Sequence, residues 1–99
     1  MAGINKVILV GNLGNDPNVL TFENGVKKAT FSLATNETYK DKEGNRVEQT
    51  EWHNIVVWRG LAEVAEKFLR KGSLIYLEGK IKTRSYEQNG IKKYITEIF

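Results

Sequence analysis

Two tryptophans stand near the middle of the chain at a spacing that suits a strand. A strand sends alternate side chains to opposite faces, so Trp52 and Trp58 share one face with Asn54 and Val56. The opposite face carries His53, Ile55 and Val57. That opposite face is the better core. The Trp face is either buried, since Trp is usually largely buried, or it is a platform on which flat molecules stack, and the two residues alone leave both possibilities open.

A second segment adds cations to this picture. The even positions of residues 80–86 are Lys80, Lys82, Arg84 and Tyr86, so one face of a strand here is basic and ends in an aromatic ring. Single-stranded nucleic acid needs cations along its phosphates and rings under its bases. An ordinary solvated strand face is the alternative. The net charge of +3 is modest, with 15 Lys and Arg against 12 Asp and Glu.

Composition limits the class of protein. A chain of 99 residues with 40% hydrophobic residues predicts one globular domain, residues 1–99. The absence of cysteine excludes disulfides and thiolate metal sites and suits a reducing cytosol. The longest apolar run, residues 7–10, is far too short to span a membrane.

The elements that position these residues are predicted to be mostly strands. Asn24-Gly25 and Asn89-Gly90 are hairpin turn signals, and polar residues 37–49 predict a long flexible hairpin arm. Predicted strands cover 6–13, 19–23, 27–36, 50–58, 73–86 (with a bend at Gly79) and 92–99. In the strand 27–36 the inward set is either Ala29, Phe31 and Leu33 or the opposite register, and apolarity favours the first. The other phenylalanines, Phe22, Phe68 and Phe99, are also predicted to be core, and Tyr76 to be structural.

One helix interrupts the strands. Apolar residues at helical spacing from Leu61 to Leu69 predict about three turns, with Gly72 as the C′ residue. The helix falls after the Trp strand and before the basic strand. This element order predicts an all-β fold with one short helix, namely an OB-fold: a five-stranded Greek-key barrel with long β-hairpin arms.

Five ordered motifs resemble those of bacterial single-stranded DNA-binding proteins. They are residues 7–17 (VILVGNLGNDP), 50–53 (TEWH), 61–65 (LAEVA), 69–73 (LRKGS) and 76–79 (YLEG). The resemblance implies an OB-fold homotetramer that wraps single-stranded DNA in replication, recombination and repair, without sequence preference. It also implies a cytoplasmic, nucleoid-associated protein.

The resemblance assigns roles to individual residues. Base stacking falls to Tyr39, Trp52, Trp58 and Tyr86. Phosphate contacts fall to Lys42, Lys71, Lys82 and Arg84. The basic face adds Lys80 to these contacts. Asn54 stands where a basic residue is common in the family, and Arg59 is expected to supply the missing phosphate contact nearby. A subunit contact falls to His53. The apolar edge strand 7–10 is expected to add Val7 and Leu9 to the subunit contacts.

The end of the chain departs from the family. Members carry a disordered Gly/Pro/Gln-rich region and an acidic tip that recruits replication and repair proteins, and nothing of that kind follows Phe99. We therefore expect a domain truncated in its last strand.

Catalysis is not expected. His53 is the only histidine and has no nucleophile pattern beside it, and the acids form no metal-type cluster, so the sequence predicts no enzyme, metal or cofactor. Gly11-Asn12-Leu13-Gly14 has KH-loop spacing but lacks the flanking helices, and is interpreted as a turn. Two other functions remain open: an OB domain that docks replication-restart proteins, and an RNA-binding or transfer-RNA-binding OB module.

Overall fold

A computed structural model describes the backbone of residues 1–99 and the side chains of residues 1–91 and 97–99. The chain forms seven strands and one helix. In chain order they are β1 (Val7–Leu13), β2 (Asn18–Thr21), β3 (Lys27–Lys40), β4 (Arg46–Trp58), α1 (Gly60–Phe68), β5 (Leu74–Gly79), β6 (Ile81–Gln88) and β7 (Ile91–Ile98). In the described part of the chain, no helix is long and apolar enough to cross a membrane.

The strands form one sheet in the order β5-β1-β3-β4-β7-β6, with β2 paired to β3. All pairs are antiparallel except β4 with β7. The strands at the two ends of this order, β5 and β6, are consecutive in the chain and joined by Lys80 alone. Lys80 and Phe99 exchange two backbone hydrogen bonds, of 3.0 and 2.8 Å. The sheet therefore curls into a barrel-like form without closing fully, and the predicted OB-fold is confirmed.

The bend at Gly79 lies where the sequence predicts it, but it divides the predicted strand 73–86 in two. Before the bend β5 pairs with β1, and after it β6 pairs with β7. A Cβ on Gly79 would overlap the carbonyl group of Phe99. Glycine is required here because the last residue of the chain approaches the backbone at the corner.

The arm predicted over residues 37–49 is a regular two-stranded ribbon, because β3 and β4 extend into it beyond their predicted ends. β3 and β4 stay paired from Lys28↔Trp58 to Lys40↔Arg46. Residues 37–40 and 46–49, predicted as part of a flexible arm, are thus paired strand. The turn between them is closed by Asp41, whose Oδ1 accepts the backbone N–H groups of Glu43 and Asn45 at 3.0 and 2.8 Å. The ribbon is polar because both its faces meet solvent.

The core lies on the inner side of the curved sheet, where α1 packs against it. Its buried members are Leu13, Ala29, Phe31, Leu33, Ile55, Ala62, Ala65 and Ile98. The favoured inward set of β3 is confirmed. The helix faces this core with Ala62 and Ala65, whose small side chains allow it to lie close to the sheet.

Three sequence predictions need correction. The helix ends at Phe68 with Leu69 as its C-cap, so Gly72 is not its C′ residue. Gly72 instead takes a φ of 91° in the turn before β5, where its N–H donates to the carbonyl of Leu13. Phe22 and Phe68 are not core: their exposed fractions are 44% and 73%. Phe68 lies on the outer side of the helix, and Phe22 packs on an outward-facing ring described below.

Candidate nucleic-acid interface

The outward residues of four adjacent strands form one surface. Directly paired residues on neighbouring strands share a face. The register aligns Ser32 of β3, Asn54 of β4, Glu97 of β7 and Lys82 of β6 in one row. The Trp face of β4 and the basic face of β6 are therefore continuous. We call this surface the aromatic–basic face; its marker residues are Lys28, Trp52, Asn54, Trp58, Lys82, Arg84, Tyr86 and Glu97.

Trp58 lies in an aromatic cluster at one end of this face. Its ring is stacked with that of Phe22, with centroids 6.1 Å apart and planes 20° apart. Lys28, which pairs with Trp58 across the strands, holds its Nζ 5.4 Å from the ring centroid.

Neither Phe22 nor Lys28 was predicted for this face. A two-residue turn at Asn24-Gly25 places Phe22 opposite Lys27. In the structure the turn is one residue longer, since the Phe22 N–H donates to the Val26 carbonyl at 2.9 Å and Thr21 pairs with Lys27. This longer turn puts Phe22 and Lys28 on the same face.

Trp52 is more exposed than Trp58 and Tyr86, the other two predicted stacking rings of this face, with 58% of its surface accessible. It pairs with Ala34 on β3, and its six-membered ring lies against Gly14 just after β1. A Cβ on Gly14 would overlap this ring. Glycine at position 14, interpreted from the sequence as a turn residue, thus also makes room for the indole.

The cations fall into two groups. Lys80, Lys82 and Arg84 are exposed along the bend and β6; Lys82 Nζ lies 5.0 Å from the Phe99 ring centroid. Arg84 Nε donates to Glu97 Oε1 at 2.6 Å. The other three predicted phosphate contacts are exposed in connections between elements: Lys42 at the arm turn, Arg59 before α1 and Lys71 before β5.

The two tyrosines differ in placement. Tyr86 is on β6 with the parity of Lys82 and Arg84, so it shares the aromatic–basic face, and 39% of its surface is exposed. Tyr39 pairs with Val47 on the arm and has the opposite parity to Trp52. Its ring, 46% exposed, therefore lies on the other face of the ribbon. The structure brings Trp52, Trp58 and Tyr86 onto one surface and leaves Tyr39 on the arm.

The titratable groups give no sign of acid–base chemistry on this face. A hydrogen bond to Glu66 at 3.0 Å, with the charge of Glu66, raises the pKa of Lys27. A hydrogen bond to Glu78 raises the pKa of Tyr76. Neither group is on the aromatic–basic face. The Nε2 atom of His53 is 2.9 Å from Thr35 Oγ1. In the described part of the chain no three His, Asp or Glu side chains gather in a way that could hold a metal ion.

A second exposed surface is formed by β1 and β5. The register pairs Ile8 with Glu78, Val10 with Tyr76, and Asn12 with Leu74. We call these six residues the β1–β5 face; its four apolar or aromatic members are each more than half exposed. Val7 and Leu9, predicted as subunit contacts, instead pack against the core. Strand alternation explains the difference, because odd positions of β1 point inward and even positions point outward.

Comparison with known proteins agrees with this geometry. A family model described as the Single-strand binding protein family matches residues 4–99. Single-stranded DNA-binding proteins of Neisseria meningitidis serogroups A and B are 51% identical over 96 residues, covering 96% of this chain and 55% of theirs. The chain thus spans about half the length of these curated relatives.

A solved structure, the Plasmodium falciparum SSB in complex with single-stranded DNA, has the same fold. Its TM-score is 0.90 at 39% identity, over 99% of this chain and 87% of that chain. The family is one of binding proteins, in agreement with the prediction that the chain is not an enzyme. Because the family model covers nearly all of the sequence, the chain belongs to the single-strand binding protein family.

Proposed function

We propose that this domain binds and protects single-stranded DNA without sequence preference. The observation that carries the proposal is the aromatic–basic face, on which Trp52, Trp58 and Tyr86 alternate with Lys28, Lys82 and Arg84. Every base has a flat face, so stacking on rings tolerates any sequence. The relatives' names and the DNA-bound structural neighbour support the same assignment.

The binding mechanism follows from the chemistry of this face. Bases stack on the exposed rings, each contributing on the order of 1–3 kcal/mol. The phosphates contact Lys80, Lys82 and Arg84, and binding releases condensed counterions. A duplex hides its base faces in its own stack, so it cannot use the rings. The arm carries Tyr39 and Lys42 on a separate ribbon, and in this proposal it closes over the strand, with Arg59 and Lys71 contacting phosphates at the ends of the path.

The β1–β5 face supports a homotetramer. Four outward apolar or aromatic residues (Ile8, Val10, Leu74 and Tyr76) form a patch of the kind that marks contact with another protein. A cavity of about 520 Å³ separates this part of β1 from the arm, and His53 lines it. We place subunit contacts on Ile8, Val10 and His53, with Val7 and Leu9 supporting the strand from inside.

The cellular location that we propose follows from the ligand. Single strands are exposed during replication, recombination and repair, so we place the protein at the nucleoid in the cytoplasm. Proteins of those processes are the partners expected from an acidic tail of the family's type, which is not among residues 1–99.

Titration of a fluorescently labelled oligo-dT, followed by anisotropy, tests the proposal. Affinity should fall as salt rises, with a log–log slope of about −0.7 for each phosphate neutralised. Unlabelled oligo-dT should displace the probe, whereas duplex DNA should not. Binding that ignores salt, or equal displacement by duplex, would contradict the proposal. Preferential displacement by structured RNA would favour the RNA-binding alternative.

A further inference from the structure

Glu97 is an acid buried in the middle of a basic surface. Only 6% of its surface is exposed. It lies in β7 between Asn54 of β4 and Lys82 of β6, and so it shares their face. A carboxylate here repels phosphate, which makes its presence on the proposed DNA path an apparent disadvantage.

The contact made by this carboxylate explains its place. Glu97 Oε1 accepts the Nε hydrogen of Arg84 at 2.6 Å, the short distance of a charge-assisted bond. The two residues are diagonal neighbours, because Lys82 is the direct partner of Glu97 and Arg84 is two positions further along β6. The Glu97 side chain is 8% exposed, whereas that of Arg84 is 57% exposed. A fixed, buried anchor thus holds the inner edge of a long and mostly exposed side chain.

Arg84 bonds Glu97 through Nε, so the two terminal nitrogens at the outer edge of its guanidinium remain available for a ligand. Arg has five N–H donors in a planar fork, of which Nε contributes one and the two terminal nitrogens contribute four. Arg84 and Glu97 both line a groove of about 360 Å³ between β3, β4 and β6. Polar side chains from the other side of the groove are Asn15, Asn18, Lys28 and Thr30. An anchored fork at this edge suits bidentate contact with a phosphate.

We propose that Glu97 is a positioning residue, which fixes the guanidinium of Arg84 so that its terminal nitrogens meet one phosphate of the bound strand. This inference rests on the proposed function and assigns a specific role within it. Glu97 itself touches no DNA. The negative charge of Glu97 opposes phosphate binding, whereas its acceptor oxygen favours phosphate binding by holding Arg84 in place.

These two effects can be separated by substitution. Glu97→Gln keeps an acceptor oxygen and removes the charge, so it should bind oligo-dT more tightly than the unaltered protein. Glu97→Met removes both, so it should bind about fivefold more weakly than Glu97→Gln, the change equivalent to one hydrogen bond. Its salt slope should also be smaller in magnitude, by about 0.7, because one phosphate contact is lost.

Repeating both substitutions in an Arg84→Ala background shows whether the effect passes through Arg84. The difference in oligo-dT affinity between the Gln and Met variants should then disappear. A difference caused by a general loss of structure would persist. Equal affinities of Glu97→Gln and Glu97→Met in the protein that retains Arg84 would overturn the inference, since that is the result for a simple repulsive charge.

Arg84→Lys gives a second measurement that does not depend on how a variant at position 97 folds. Lysine keeps the charge but has no fork to anchor. Its affinity should fall several-fold, and affinity equal to that of the unaltered protein would overturn the inference. Failure of the unaltered protein to bind oligo-dT would overturn the proposed function as well, and so is distinguishable from failure of the Glu97 role alone.

Discussion

Two exposed surfaces on the outside of the same barrel differ in chemistry. The aromatic–basic face carries indole and phenol rings. Its cations Lys28 and Lys82 contact rings, and Arg84 is anchored by Glu97 so that its outer edge meets solvent. The β1–β5 face carries three aliphatic residues beside Tyr76, and its charges are satisfied locally: Lys6 is 3.7 Å from Glu78, and the Tyr76 hydroxyl donates to Glu78 at 2.6 Å. Both surfaces expose apolar or aromatic side chains of the kind that mark a binding surface.

The difference indicates which partner each surface takes. Aliphatic side chains with neutralised charges suit another protein surface, which offers matching apolar groups. Rings interleaved with cations suit a chain of bases and phosphates. Parity alone produces both surfaces, because the even residues of β1 and of β4 point outward from the same curved sheet.

The largest effect should come from the rings. Replacing Trp52 or Trp58 by Ala should weaken oligo-dT binding by roughly 5- to 150-fold, the equivalent of 1–3 kcal/mol for each stacked base. Phe68→Ala is the matched control, because this exposed ring lies on the helix, outside both surfaces. Anisotropy titration measures all three. Unchanged affinity in both Trp variants would favour a protein-docking domain instead.

The next effect concerns assembly. Val10→Glu places a charge in the centre of the β1–β5 face and should shift the protein from the proposed tetramer to smaller species in sedimentation velocity. Leu61→Glu, at an apolar residue on the helix that is more exposed than Val10, should leave the assembly intact. If Val10→Glu sediments like the unaltered protein, the two surfaces do not divide their partners as we propose.

A smaller effect should follow from Gly14→Ala. The added Cβ overlaps the Trp52 ring, so the indole must shift while the strands stay paired. Affinity for oligo-dT should fall by less than in Trp52→Ala, and the Trp emission spectrum should change in the free protein. Gly60→Ala meets no atom within 4 Å and serves as the control. An unchanged emission spectrum would show that Gly14 does not support the ring.

The smallest effect is a pH dependence on the β1–β5 face. The hydrogen bond to Glu78 raises the pKa of Tyr76 above its ordinary value of 10.0. The stability it contributes is complete below that value and is lost as the pH rises through the raised pKa. Tyr76→Phe should therefore be slightly less stable at neutral pH and should show a flatter loss of stability as the pH rises above 10.0. Urea unfolding at several pH values measures this, and identical pH profiles would exclude the bond.

Much of the fold could be predicted because local signals agreed with one another. The inward set of β3, the helix, the hairpin turns and the bend at Gly79 each followed from periodicity or from glycine. The strands β3 and β4 were predicted too short at the arm, since paired strands with solvent on both faces lack the alternation that marks a half-buried strand.

The candidate site was predicted less completely because it depends on contacts between strands. Their even positions along one strand placed Trp52 and Trp58 on the same face. Only the register between strands shows that Arg84 and Glu97 share this face. Val7 and Leu9 were chosen for apolarity, which does not distinguish the inward from the outward side of β1. Phe22 was taken as core for the same reason. Its outward position follows from the three-residue turn 23–25, which the signal for a two-residue turn does not predict.

Quenching of Trp fluorescence by oligo-dT tests the central claim most directly. Each Trp is retained alone by replacing the other with Phe, and a labelled oligo-dT in parallel reports binding. The account predicts strong quenching of both single-Trp proteins at the same DNA concentrations that raise the anisotropy, with both signals weakening together as salt rises. Saturated DNA binding with neither Trp quenched would contradict it, because the bases would then lie elsewhere on the barrel.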